Sequence, residues 1–137
     1  MATVQGDPCR TSRGVQGLKT ILTVDDSRTM RQLLRSALSD AGFEVVQAED
    51  GVHGLEVLRD CSPDVIITDV NMPRMDGLTF IEELRQDGQR RAIPILVLTT
   101  ENDAPKKARA KAAGATGWIV KPFDPKKLVD AINRVAP

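Results

Sequence analysis

The sequence predicts an α/β fold of three layers, α/β/α, around a doubly wound, five-stranded parallel sheet. Three observations predict it. Short runs rich in Val, Ile and Leu recur along the chain, and such runs read as strands buried on both faces. Each is followed by a segment whose apolar residues return at helical spacing. Gly, Pro and Asp punctuate the junctions. Strand–helix repetition argues for parallel pairing with right-handed crossovers and helices on both faces. Five units are too few for an eight-stranded barrel, so the sheet is open.

Residues 1–17 show no apolar period, and Gly6, Pro8, Gly14 and Gly17 interrupt both helix and strand. A flexible N-terminal tail is expected there, ahead of one domain over 18–137. Ile21, Leu22 and Val24 make the first strand, which ends on Asp25-Asp26. Ser27 suits a helix cap, and Met30, Leu33, Leu34, Ala37, Leu38 and Ala41 form the inward stripe of a helix stopped by Gly42. Glu44–Ala48 is the second strand. The second helix, Gly51–Arg59, carries Val52, Leu55 and Leu58 on one stripe, with His53 expected on its exposed side. Ser62-Pro63 turns the chain into the third strand, 64–69, which ends on Asp69. A loop punctuated by Pro73 leads to the third helix, Gly77–Gln86, with Leu78, Ile81 and Leu84 inward and Gly88 beyond it. The fourth strand, Ile93–Leu98, ends at Thr99-Thr100. Residues 103–113 read as an alanine-rich helix stopped by Gly114. The fifth strand, Gly117–Val120, ends at Lys121-Pro122. Asp124 and Pro125 then open a last helix with Leu128, Ile132 and Val135 as its stripe.

Composition excludes several classes of function. Lys plus Arg and Asp plus Glu are 19 each, so no global field favours nucleic acid or an anionic membrane. With one Trp, three Phe and no Tyr, there is no stacking platform for single-stranded nucleic acid. No apolar stretch approaches the ~18 residues of a membrane span, and the first residues lack the apolar core of a signal peptide. A cytoplasmic protein without nucleic-acid or membrane partners is expected. Cys9 and Cys61 have no metal or redox spacing, and no disulfide is expected in such a compartment. A single histidine cannot build a histidine-based metal site.

The chemistry lies at the strand ends. In a parallel sheet these ends share one edge, where ligands bind. Asp25 and Asp26, Asp69, Thr99 and Lys121 therefore gather there, although far apart in sequence. Clustered carboxylates repel one another unless a cation intervenes. An all-oxygen donor set suits a hard ion, Mg²⁺ rather than Zn²⁺. A carboxylate can act as a nucleophile toward phosphorus. Phosphoryl transfer needs charge neutralisation, which Mg²⁺ and Lys121 supply, with the Thr99 hydroxyl as a hydrogen-bond donor.

In order and spacing, Val24-Asp25-Asp26-Ser27, Ala48-Glu49-Asp50-Gly51, the stretch from Asp69 to Gly77, Leu98-Thr99-Thr100-Glu101 and Gly117-Trp118-Ile119-Val120-Lys121-Pro122-Phe123 resemble the receiver domains of two-component response regulators. The likeness covers about residues 19–136 and runs closest to the stand-alone chemotaxis regulators. It implies a flavodoxin-like sheet with strand order 2-1-3-4-5. It implies that Asp69 accepts a phosphoryl group from a sensor histidine kinase or phosphotransfer protein. Asp26, Asp69 and the Asn71 backbone carbonyl would ligate Mg²⁺, with Asp25 acting mostly through water. Lys121 would pair with the phosphoryl group, ahead of a cis Lys121-Pro122 bond. Thr99 would move toward the phosphoryl group and Trp118, in place of the commoner Tyr or Phe, would turn inward. Asn71 and Glu101 would set the rate of self-dephosphorylation. The protein would be a phosphoacceptor rather than an enzyme. Its output partner, such as the flagellar motor switch, would read the face of helix four, strand five and helix five. A phosphate sink or part of a longer regulator is the alternative output.

Two other classes fit less well. Asp-nucleophile phosphatases usually carry a second Asp two residues after the nucleophile, where this chain has Asn71. A flavin-binding protein needs a phosphate-cradling loop after strand one, where this chain has Asp25-Asp26. Helix four has few large apolar groups and a basic set, Lys106, Lys107, Arg109 and Lys111. A loosely held helix and a docking surface for an acidic partner are expected there.

Overall fold

A computed structural model describes residues 18–86 and 92–136. The expected tail, Cys9 and Gly88 lie outside the described residues. Five strands, β1 (Thr20–Val24), β2 (Glu44–Ala48), β3 (Val65–Thr68), β4 (Ile95–Thr99) and β5 (Gly117–Val120), alternate with five helices. These are α1 (Arg28–Asp40), α2 (Gly51–Val57), α3 (Gly77–Gln86), α4 (Ala104–Ala113) and α5 (Pro125–Val135). All pairings are parallel, in the order β2-β1-β3-β4-β5.

The period-2 alternation of each strand sorts its side chains between two cores. Leu22, Val24, Ile66, Ile95 and Val97 face α2, α3 and α4, whose Leu78, Phe80, Ile81, Leu84 and Ala110 complete one cluster. Ile21, Val65, Ile67, Leu96 and Leu98 face α1 and α5 and meet Leu34, Leu38, Leu128 and Ile132. β1, β3 and β4 are buried throughout, which is why their runs are continuously apolar rather than alternating. Each fully buried Leu, Ile or Phe contributes about 1.5–3 kcal/mol relative to exposure.

The caps follow sequence closely. The Ser27 hydroxyl accepts from the Met30 N–H at 3.2 Å, and Asp103 and Asp124 accept from the N–H groups of Lys106 and Lys126. Gly42 and Gly114 take positive φ, +94° and +113°, a conformation that costs glycine nothing. The Lys121-Pro122 bond is cis, as expected.

Several expectations need correction. Leu33, placed on the inward stripe of α1, is 52% exposed, and Ala41 is exposed as the C-terminal cap. The inward set of α1 is narrower, with only Leu34 and Leu38 buried. α2 stops at Val57 rather than Arg59, and its buried residues are Gly51 and Gly54. A Cβ at Gly54 would lie 2.9 Å from Phe80 Cε1, so the small residue admits the ring. His53 is half-buried, and its Nδ1 accepts from the Glu49 N–H at 3.1 Å. β4 begins at Ile95, after Pro94, and includes Thr99. Cys61 is buried and disulfide-bonded, against the expectation of a reduced pair.

Candidate functional site

Asp25, Asp69 and Lys121 each follow the last pairing of their strands, and Thr99 is the last paired residue of β4. The Asp25 N–H donates to the Ala48 carbonyl at 3.1 Å, and the Asp69 N–H to the Val24 carbonyl at 2.9 Å. The Lys121 N–H donates to the Thr99 carbonyl at 2.8 Å. Sheet hydrogen bonding thus continues one residue into the loops and fixes where these backbones emerge.

The geometry converges on Lys121. Its Nζ donates to Asp25 Oδ2 at 2.9 Å and to Asp69 Oδ2 at 2.8 Å. All three side chains are largely withdrawn from solvent, at 10% exposure for Lys121, 3% for Asp25 and 12% for Asp69. Asp26 is exposed, yet one carboxylate oxygen each of Asp25, Asp26 and Asp69 lies within 4.8 Å of the others. Burial pushes the Asp25 carboxyl above its ordinary value, although the bonds from Lys121 and the Ser27 N–H oppose the shift. Burial acts to lower the Lys121 ammonium, but its bonds to Asp69 and Asp25 outweigh this and raise it. The cluster therefore holds a protonated lysine among more carboxylate charge than it can balance.

That excess, with an all-oxygen donor set and no thiol or imidazole, fits a hard divalent cation. The fit rests on the residues themselves: three carboxylates share one edge, and a buried carboxylate is tolerated only with a counter-charge.

The loop after β3 is closely constrained. Asp69 Oδ1 accepts from the Val70 N–H at 2.6 Å. The Gly77 N–H returns to the Val70 carbonyl at 2.8 Å. A Cβ at Gly77 would overlap the Asp69 carbonyl oxygen, so only glycine lets the chain pass there.

A second set of contacts lies beside this loop. Asn71 Nδ2 donates to Glu101 Oε2 at 2.8 Å, and Lys106 Nζ donates to Glu101 Oε1 at 3.2 Å. These bonds, Asn71 first, hold the Glu101 carboxyl below its ordinary range. Thr99 is fully buried, and its hydroxyl accepts from the Glu101 N–H at 3.2 Å. Half-buried Trp118 packs on the α4-side core and donates its indole N–H to the Glu101 carbonyl at 3.1 Å. Glu101 thus joins Asn71, Thr99 and Trp118 in one set of contacts.

The predicted basic set on α4 divides. Lys106 pairs with Glu101, and Arg109 pairs with Glu82 on α3 at 3.2 Å, so two of its four charges are balanced locally. Three residues were given no role by sequence reading. Arg31 donates to the Asp25 carbonyl at 2.7 Å, while Asp50 and Arg74 form a bidentate pair at 2.7 and 3.1 Å. Neither pairing has a local sequence signal, because each joins separate elements.

This is a doubly wound sheet with acidic, hydroxyl and ammonium groups at its carboxyl edge. The chain belongs to the response regulator receiver domain family, which residues 21–133 match. It is 42% identical over 118 residues to the chemotaxis protein CheY1 of Helicobacter pylori, covering 84% of this chain and 94% of that one. Chemotaxis protein CheY-3 of Vibrio cholerae is 36% identical over 116 residues, covering 84% and 89%. Among solved structures, V. cholerae CheY4 superposes with a TM-score of 0.83 at 46% identity, over 87% of this chain and 99% of that one. A putative response regulator from Chloroflexus aurantiacus gives 0.83 at 35% identity, over 87% and 98%.

Proposed function

We propose that this chain is a single-domain response regulator of the chemotaxis type, with Asp69 as its phosphoacceptor. The observation that carries the reading is Lys121 bridging Asp25 and Asp69 at the carboxyl edge of the sheet. A carboxylate oxygen of Asp69 attacks the phosphorus of a phosphohistidine on a sensor kinase or phosphotransfer protein. The P–N bond breaks, and the histidine nitrogen leaves with the electron pair and takes a proton. Water later hydrolyses the acyl phosphate, returning aspartate and inorganic phosphate.

Asp26, Asp69 and the Asn71 carbonyl would hold Mg²⁺, with Asp25 beside them. When bound, the ion neutralises charge on the phosphoryl oxygens. Lys121 turns from the carboxylates to the phosphoryl group, and Thr99 donates its hydroxyl to a phosphoryl oxygen. The β4–α4 junction moves with Thr99, and Trp118 follows through its bond to Glu101. The output face is that of α4, β5 and α5, where a protein such as the flagellar motor switch would dock. Asn71 and Glu101 sit beside Asp69 and set the lifetime of the acyl phosphate, seconds to minutes. No described helix is long and apolar enough to cross a membrane.

Incubation with a small phosphodonor and Mg²⁺, read by intact mass, tests the assignment. Wild type should gain one phosphoryl group and Asp69→Asn none. Undiminished modification of Asp69→Asn would refute it.

A further inference from the structure

Arg74 stands out on two independent grounds, its backbone conformation and its ion pair. It is the only described non-glycine residue with positive φ, +65°. The Met75 N–H bonds back to the Pro73 carbonyl at 2.6 Å, so Arg74 is the centre of a γ-turn in its strained, positive-φ form. Its guanidinium forks onto Asp50, Nε to Oδ2 at 2.7 Å and Nη2 to Oδ1 at 3.1 Å.

Asp50 is a fixed anchor. It is 2% exposed and caps α2 by accepting from the His53 N–H at 2.8 Å. Arg74 holds its carboxyl below the ordinary range in spite of burial. A second tie runs alongside, from the Gly51 N–H to the Met75 carbonyl at 3.2 Å. A Cβ at Gly51 would press on Met75 at 2.7 Å. The loop from Val70 to Asp76 is thus closed at its base by Gly77 and Val70 and pinned at its tip to the start of α2. Asn71 lies between these two fastenings.

We propose that the Arg74–Asp50 pair is a positioning clamp that sets the backbone at Asn71 for the divalent cation held beside Asp69. The inference rests on the metal-dependent reading above. Neither Arg74 nor Asp50 touches the ion or the reacting atoms. Their bond fastens the strained loop that carries Asn71 to the start of α2. Outer-shell partners of this kind typically change metal affinity by about tenfold or more.

Arg74→Gly separates the clamp from the turn, because glycine accepts positive φ without strain and the variant keeps its fold. Asp50→Asn keeps the α2 cap, since Asn serves there as well as Asp, but removes the charge that Arg74 grips. Mg²⁺ binding to the full chain is read by calorimetry, and phosphorylation by a small phosphodonor is followed against Mg²⁺ concentration. We expect each variant to weaken Mg²⁺ by roughly tenfold, with the phosphorylation rate returning to the wild-type value at saturating Mg²⁺. The double variant should lose no more than either single one, and Arg74→Lys should recover part of the affinity. Wild-type affinity in Arg74→Gly would overturn the clamp alone. Absence of Mg²⁺ binding by the wild-type chain would overturn the metal reading and the clamp with it.

Discussion

Asp25 is charged at a cost. Burial raises its carboxyl in the folded protein more than Lys121 and the Ser27 N–H lower it, so folding favours the protonated form. Stability from this residue is therefore greatest below the ordinary carboxylate range and declines as pH rises through the raised value. Asp25→Asn should raise the melting temperature at neutral pH and flatten that decline, while weakening Mg²⁺ binding. Thermal melts from pH 4 to 8 measure both; a lower melting temperature at pH 7 would contradict the burial argument. Lys121 acts in the same direction, in a more alkaline window. Its raised folded value gives stability that is fully present below the ordinary lysine range and lost as pH climbs through the raised one. Gly77 offers a steric counterpart. Because a Cβ there would strike the Asp69 carbonyl, Gly77→Ala must shift the site backbone, and a loss of about 1–3 kcal/mol in urea unfolding is expected. None of this was visible in the sequence. Asp25, Asp69, Thr99 and Lys121 could be found from their places at strand ends, but the passage behind Gly77 and the fork between Arg74 and Asp50 depend on how two loops meet.

α1 and α4 show what periodicity can and cannot read. Leu33 and Leu34 both fit the helical stripe, yet Leu34 is buried and Leu33 is 52% exposed, since one helix face packs on a sheet along a narrower line than the spacing rule allows. Leu34→Ala should therefore cost about 2–5 kcal/mol, and Leu33→Ala no more than about 0.5 kcal/mol, both by chemical denaturation. Phe80 was missed for the converse reason. α3 packs between two helices and buries five residues, a broader face than a single stripe, and Gly54 makes the room for the ring. In α4 the shortage of large apolar side chains was legible, and Ala110 is its one buried residue. What sequence could not show is that ion pairs from Lys106 and Arg109 partly replace that burial. Held by exposed contacts of small individual worth, α4 should exchange its amides well before α1 in hydrogen-exchange measurements. Asp103→Ala, which removes its cap, should widen the gap. Equal protection of the two helices would contradict this.

Across the whole molecule, the parallel sheet followed from the alternation of strand and helix, and the strand order from the family likeness alone. The link between site and surface was less legible. Trp118, two residues before the end of β5, reaches back to the Glu101 carbonyl, and Glu101 reaches Asn71 beside Asp69. On the proposed reading, phosphorylation would add nearly two negative charges at Asp69, next to this chain of contacts. The emission of Trp118, the only tryptophan, should change on adding a phosphodonor with Mg²⁺ and stay constant in Asp69→Asn. Trp118→Phe should still be phosphorylated while its α4–β5 amides lose the difference between the two states. Lys121 also has a consequence in time. It lies 96 residues from Asp25 and 52 from Asp69, so the acidic cluster meets its counter-charge only when the last strand docks. Earlier in synthesis the carboxylates stand together without it, and their repulsion works against premature closure of the sheet edge. The edge that gathers the three carboxylates is thereby completed only once the fifth strand has been made and paired.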